Sequence, residues 1–323
     1  MSLQMEKKND FYNIDRRQML GLAGGTAGLI FANTLAGRAE ETPSQETSKR
    51  RFSLNTGTLL GYNLPIEEEI EITAKAGYDG IEIWLMRLEK YISEGKSLTD
   101  LRKRVEDSGL TVENAIGFAP WIVDDDAERA KGVEQIKRDM ERLAKIGCFR
   151  IAAPASGATA KRIDNLEACG ERYRKILEIG EQQGVTPLLE LWGGSATLSR
   201  LSDVAAIAVA AAHPQASLLL DAYHLYKGGN TWTSLSQLNG RNWHIFHLND
   251  YPENPPRETI ADKDRVFPGD GVCPIRELVT QLDEIGFHGV FSLEIFNAEY
   301  RQTTSPLEQA KIGLEKMRLA VKK

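Results

Sequence analysis

Cysteine is scarce: Cys148, Cys169 and Cys273 are the only three in 323 residues. None falls in a CxxC or Cys/His pattern, which excludes a disulfide framework and a thiolate zinc site. All three read as small buried side chains without chemistry. Histidine is scarce too, at five. A basic excess is missing: 40 Lys and Arg face 46 Asp and Glu, a net charge of −6, which argues against a nucleic-acid-binding surface. No phosphate-cradling loop follows the first apolar run, which ends Asn55-Thr56-Gly57-Thr58 without GxGxxG or GxxxxGK. What remains is ordinary globular composition, 41% hydrophobic and 27% charged, enough to bury a large core.

The N-terminus is set apart from the fold. Lys7, Lys8, Arg16 and Arg17 precede an uncharged apolar run, Met19–Leu35, too short and Gly-rich for a membrane span. Residues 1–39 are expected to be a removed export signal, with Ala36 or Ala39 ending the cleavage site. Arg16-Arg17 followed by Gln18-Met19-Leu20 resembles a twin-arginine signal, with Asp15 where Ser or Thr is more usual. The implied location is periplasmic. That route carries folded proteins, so a metal enzyme using it takes its metal in the cytoplasm, where availability rather than raw affinity selects the ion. Residues 40–51 are polar, lack periodicity and contain Pro43, the marks of a linker.

From residue 52 to 323 the chain alternates eight short apolar runs with amphipathic stretches. The runs are Phe52–Thr56, Gly80–Trp84, Thr111–Ile116, Phe149–Ala153, Thr186–Leu191, Ser217–Asp221, Trp243–Leu248 and Gly289–Ile295. Near-continuous apolar runs suit strands buried on both faces of a parallel sheet. Helices are expected after Pro65 and over Leu98–Ser108, Asp126–Ile146, Asn165–Gln183, Leu198–Ala212, Thr233–Leu238, Ile275–Ile285 and Leu307–Val321. Gly77, Gly109, Gly147, Gly184 and Gly286 stand where helices end before strands, as the left-handed C′ position requires. Eight strand–helix units in about 270 residues predict a single-domain α/β fold, the (β/α)8 TIM barrel.

Chemistry in such barrels sits at the C-terminal ends of the strands. Strand five ends in Glu190, strand six in Asp221, strand seven in His247 and strand eight in Glu294, each after apolar residues. A charge there must be paired, hydrogen-bonded or metal-bound. Three carboxylates and one imidazole converging at a barrel mouth suit one divalent metal ion: Mn, Mg, Co, Fe or Zn. His224 and Asp250 each follow a ligand by three residues and are candidates for substrate contact. Arg257 and Arg265 lie in the long loop 251–270, within reach of a substrate oxygen. Glu82 and Trp84 end strand two, the Trp as a stacking surface for a sugar and the Glu as a hydroxyl acceptor.

The segments GYDGIEIW (77–84), PLLELWG (187–193), LLLDAYHLY (218–226), HIFHLND (244–250), RVFPGDGV (265–272) and GVFSLEIFN (289–297) resemble the sugar isomerase/epimerase superfamily of xylose isomerase-like TIM barrels. The resemblance covers residues 52–323. It implies that Glu190, Asp221, His247 and Glu294 are the metal quartet and that His224 contacts substrate oxygens. By likeness to ketose 3-epimerases it also implies that Glu190 and Glu294 are the proton-transfer pair. The chain departs from those epimerases in lacking a second acid after Glu190, where it reads Trp192-Gly-Gly-Ser-Ala-Thr197, and in its longer proline-rich loop after strand seven.

The expected reaction is proton abstraction α to a carbonyl on a non-phosphorylated keto-sugar or polyol, giving isomerisation or epimerisation through an enediolate. Expulsion of a β-substituent from a 3-keto-glycoside is the alternative. An apurinic-site endonuclease would need several more histidines for a three-metal cluster. A non-catalytic sugar-binding barrel would not need all four ligand-type residues. The implied partner is a small-molecule carbohydrate; a homo-oligomer is compatible, and no membrane is expected after signal removal.

Overall fold

The protein is described from a computed structural model, over residues 50–322. The expected signal (1–39) and the linker up to residue 49 lie outside the described residues. Eight parallel strands follow in order: β1 Arg51–Asn55, β2 Gly80–Trp84, β3 Thr111–Ile116, β4 Arg150–Ala153, β5 Thr186–Glu190, β6 Leu218–Asp221, β7 Ile245–His247 and β8 Val290–Leu293. Each coincides with an expected run to within a residue or two at most ends. Their hydrogen-bonded order is β3-β2-β1-β8-β7-β6-β5-β4, so the first strand pairs with the last. β3 and β4 carry no ladder; Arg150 Nη1 spans that seam to the Glu113 carbonyl at 3.1 Å. The result is a nearly closed (β/α)8 barrel.

Ten helices accompany the strands: α1 Ile66–Ala76, α2 Leu85–Ser93, α3 Leu98–Asp107, α4 Asp126–Lys145, α5 Leu166–Gln183, α6 Leu201–Ala211, α7 Ala222–Lys227, α8 Ile275–Glu284, α9 Tyr300–Thr303 and α10 Pro306–Ala320. The five glycines expected at αβ junctions all take positive φ, between 70° and 91°. Three helices lie outside the expected set: α2, α7 and the four-residue α9. α2 leaves β2 with no turn residue between them, burying Leu85, Leu88 and Tyr91 on one face. α7 is a single short stretch capped by Asp221, whose side chain accepts from the His224 N–H. Conversely, the helix expected over Thr233–Leu238 is a 3-10 turn, Trp232–Gln237, too short and rich in Ser and Thr to propagate as α.

Alternation along the strands places the chemistry. Ile116, Ala152, Leu188, Leu219 and Ile245 form one apolar layer inside the barrel, with Trp84 packed on it. Burying each of the larger four stabilises the fold by roughly 1.5–3 kcal/mol. Side chains two residues further on point the same way. Glu190, Asp221 and His247 stand two beyond Leu188, Leu219 and Ile245, and Glu294 two beyond the buried Ser292. No described helix is long and apolar enough to cross a membrane.

Candidate metal centre

The strand ladders set the level of each ligand-type residue. Asp221 pairs directly with His247, and His247 with Ser292, one inward step before Glu294. Glu190 is level with Leu219, one inward step before Asp221. One donor atom each from Asp221, His247 and Glu294 lies within 4.8 Å of the others, all three side chains being buried. Glu190 is not part of that cluster. It is buried at the wall of the same cavity, with Oε2 free of any hydrogen bond.

His247 shows why the cluster suits a cation. Its Nε2 lies 3.1 and 3.2 Å from the two oxygens of Glu82. Glu82, as a carboxylate, can only accept, so Nε2 carries the donated proton. Nδ1 then faces Glu294 Oε2 at 3.5 Å and Asp221 Oδ2 at 3.7 Å and has no hydrogen-bond partner. Three buried donors thus converge without bonding one another. An imidazole nitrogen and two carboxylate oxygens so arranged fit one divalent ion.

Each cluster member has a dedicated orienting group. Asn249 Nδ2 donates to Asp221 Oδ2 at 2.8 Å, and Asn55 Nδ2 to Glu294 Oε1 at 2.9 Å. Asn55 is itself held by Trp84, whose Nε1 donates to Asn55 Oδ1 at 2.8 Å. Glu82 is held by Asn114 Nδ2 at 2.8 Å. A register shift between β2 and β3, which skips Glu113, brings Asn114 opposite Glu82. Fixed ligands of this kind present their lone pairs without paying ordering entropy at binding.

Arg265 is 1% exposed and supplies the counter-charge on the other side. Its Nη1 donates to Glu294 Oε2 at 2.7 Å and to Asp221 Oδ2 at 3.2 Å. Its Nη2 bonds Asp262 and lies 3.1 Å from His224 Nε2. Arg265 has no acceptor, so His224 Nε2 accepts and the proton sits on its unpartnered Nδ1. Burial, with Arg265 beside it, holds His224 below the usual imidazole range. Burial pushes the Glu190 carboxyl up to about 8 despite the pull of His247. Burial works against charge on Glu294 too, but His247 and Arg265 outweigh it and hold that carboxyl well below the usual range. Burial likewise opposes charge on His247, yet Glu82 and Glu294 raise it well above the usual imidazole value, so a cation binding at Nδ1 would displace a proton there.

The cavity beside the cluster has a volume of about 310 Å³. Of the residues expected at a substrate, His224, Arg265 and Trp84 line it, together with Glu190 and Glu294. Three others do not line it. Glu82 does not line the cavity; it lies fully buried behind His247, where it orients the ring. Asp250 is fully buried and accepts backbone N–H groups from Tyr251, Gly269 and Cys273 at 2.8, 3.0 and 2.9 Å. It anchors the Pro-Gly-Asp-Gly loop. A Cβ at Gly271 would stand 2.2 Å from the Tyr251 carbonyl, which is why that position is glycine. Arg257 lies outside the cavity, half-exposed and 3.5 Å from Glu258.

Sequence reasoning passed over Asn55, Asn249 and Asp262. The first two stand at the ends of β1 and β7 and were open to the same strand-end rule, had it been applied to amides. Asp262 lies in an irregular loop that carries no periodic signal.

The profile of the family described as xylose isomerase-like TIM barrel matches residues 70–320. An inosose isomerase of Bacillus velezensis is 29% identical over 263 residues, 79% of this chain and 91% of its own length. A 3-dehydroshikimate dehydratase of Pseudomonas aeruginosa is 26% identical over 261 residues, 77% of this chain but 38% of that longer protein. The crystal structure of the IolI protein with a bound zinc atom superposes with a TM-score of 0.78 at 25% identity, covering 84% of this chain and 98% of that one. The strand count, the ligand-bearing strand ends and a profile match spanning most of the barrel agree, and the chain belongs to the family of xylose isomerase-like TIM barrels.

Proposed function

We propose that the protein is a metal-dependent isomerase or epimerase that enolises a non-phosphorylated keto-sugar or cyclic keto-polyol. The observation that carries this reading is the convergence of Asp221, His247 Nδ1 and Glu294 at the edge of a cavity that also holds Glu190. The inosose isomerase relatives and the zinc-bound IolI structure support it. A divalent ion at this cluster would act as a Lewis acid on the substrate carbonyl. Glu190 ends β5 and Glu294 follows β8, three strands apart around the barrel, so one removes the α-proton and the other returns it. The unpartnered Nδ1–H of His224 is a donor for the oxygen that gains charge as the enediolate forms, while Arg265 holds Asp221, Glu294 and the His224 ring in place.

Elimination after the same enolisation is the second reading, favoured by the dehydratase relatives. The Arg16-Arg17 pattern supports twin-arginine export to the periplasm, where free sugars rather than sugar phosphates are met. The test is incubation of metal-loaded protein with inosose and with free ketoses in heavy water. Deuterium appears at the carbon α to the carbonyl, and Glu294→Gln abolishes it. No exchange into any of them, with metal bound, would sink the proposal.

A further inference from the structure

The cavity has two unlike halves. Its floor carries Glu190, Glu294, His224 and Arg265; its side and rim carry Trp84, Phe118, Trp192 and Phe296. The rings form a continuous arc. Trp84 meets Phe296 edge-on at 5.9 Å and Phe118 at 5.3 Å, and Phe118 meets Trp192 at 6.0 Å. The inner end of that arc is tied to the reacting end of the site, because Trp84 bonds Asn55 and Asn55 bonds Glu294. Of the four rings, Trp84 and its neighbour Phe296 are therefore the pair tied to the metal cluster.

The outer pair is left over. Phe118 is 43% exposed, among the few large apolar side chains of the described residues that face solvent. An apolar ring held open at the mouth of a built cavity marks a place for a ligand group. A volume of about 310 Å³ lies at the lower end of the ~300–1,000 Å³ range of ligand pockets.

Charge narrows what that group is. Among the described residues Arg265 is the only Lys or Arg lining the cavity, and it is already committed to Asp221, Glu294 and Asp262. Glu190, Glu294 and Asp262 line the same space. A phosphate or carboxylate held beyond the reach of a divalent ion at the cluster would meet no uncommitted Lys or Arg among the lining residues. We infer that the outer ring pair, Phe118 and Trp192, is a subsite for a neutral, flat apolar substituent carried by the sugar-like substrate, as in an aryl glycoside. This deepens the enolisation reading by naming the substrate class, and it rests on that reading for the identity of the ring over the floor.

The test compares phenyl, methyl and 4-carboxyphenyl β-D-glucopyranosides on the metal-loaded protein. Binding is read by calorimetry and by quenching of tryptophan fluorescence. The phenyl compound is expected to bind about tenfold tighter than the methyl one, the size of a good ring–ring contact. The carboxyphenyl compound is expected to bind more weakly than the phenyl one. Phe118→Ala removes the phenyl advantage, and Phe118→Leu, which keeps apolar bulk, retains part of it. Equal binding of phenyl and methyl compounds, binding of neither at millimolar concentration, or a phenyl advantage that survives Phe118→Ala overturns the subsite. Preference for the carboxyphenyl compound overturns its neutrality. Loss of deuterium exchange with the phenyl advantage intact would instead overturn the chemistry and leave the subsite standing.

Discussion

Glu82 offers the sharpest test of the metal centre, because it touches no ligand except through His247. Both side chains are fully buried and 3.1 Å apart. Glu82→Ala removes the only acceptor recorded for His247 Nε2–H and leaves Asn114 Nδ2 without its bond as well. The ring is then free to turn or to change tautomer, and Nδ1 no longer points at Asp221 and Glu294 by default. Loss of such an outer partner weakens metal binding by about 10–100-fold, or roughly 1.4–2.8 kcal/mol. Glu82→Gln should cost less. Its amide oxygen accepts from Nε2–H, and its amide nitrogen needs an acceptor, which Asn114 Oδ1, unpartnered in the native protein, provides on flipping. The expected order of zinc affinity is wild type, then Glu82→Gln within about tenfold, then Glu82→Ala. Calorimetric titration of the metal-stripped proteins with zinc measures it, and circular dichroism shows whether each variant keeps its fold. A folded Glu82→Ala protein that binds zinc as tightly as wild type would refute the argument that Glu82 sets the imidazole.

Three other outcomes follow from the geometry. Glu190 lies outside the convergent cluster, so Glu190→Gln should keep zinc affinity within a few-fold while losing deuterium exchange, read by calorimetry and NMR on one preparation. Asp250→Ala strips the acceptor from three backbone N–H groups, each costing ~1–3 kcal/mol when left unpaired, so thermal stability should fall by about 3 kcal/mol or more and residues 265–273 should exchange their amide hydrogens faster. Glu69 is fully buried beside Arg87, and burial pushes its carboxyl up to about 7 from an ordinary 4.5. A raised folded value means its stabilisation is complete below pH 4.5 and is lost as the pH climbs to 7, amounting to about 3 kcal/mol. Denaturant titrations should therefore show a flatter decline over that window in Glu69→Gln than in wild type.

What could be seen in the sequence and what could not divides along a physical line. The side-chain period of a strand is a property of the strand alone, so Leu188 and Glu190, Leu219 and Asp221, or Ile245 and His247 announce a shared face without knowledge of their neighbours. Helix ends are equally local, which is why the glycines at αβ junctions could be named. The relation between strands is another matter. Glu82 and His247 are 165 positions apart and meet across the barrel interior; their contact depends on the tilt and register by which the sheet closes. Glu82, in the middle of β2, is an acid among apolar strand residues as Glu190 is, and only closure sends one behind the ligand and the other to the cavity. His224 and Asp250 make the same point in loops. Each follows a ligand-type residue by three, yet α7 turns His224 to the cavity, whereas the glycine loop wraps its backbone N–H groups around Asp250. A carboxylate goes where donors are densest, and the donors that reach Asp250 are backbone N–H groups, which the sequence does not display. Strand-end residues in such barrels are therefore nominated by local pattern, but their division into ligand, orienter and loop anchor is decided by closure and by backbone groups.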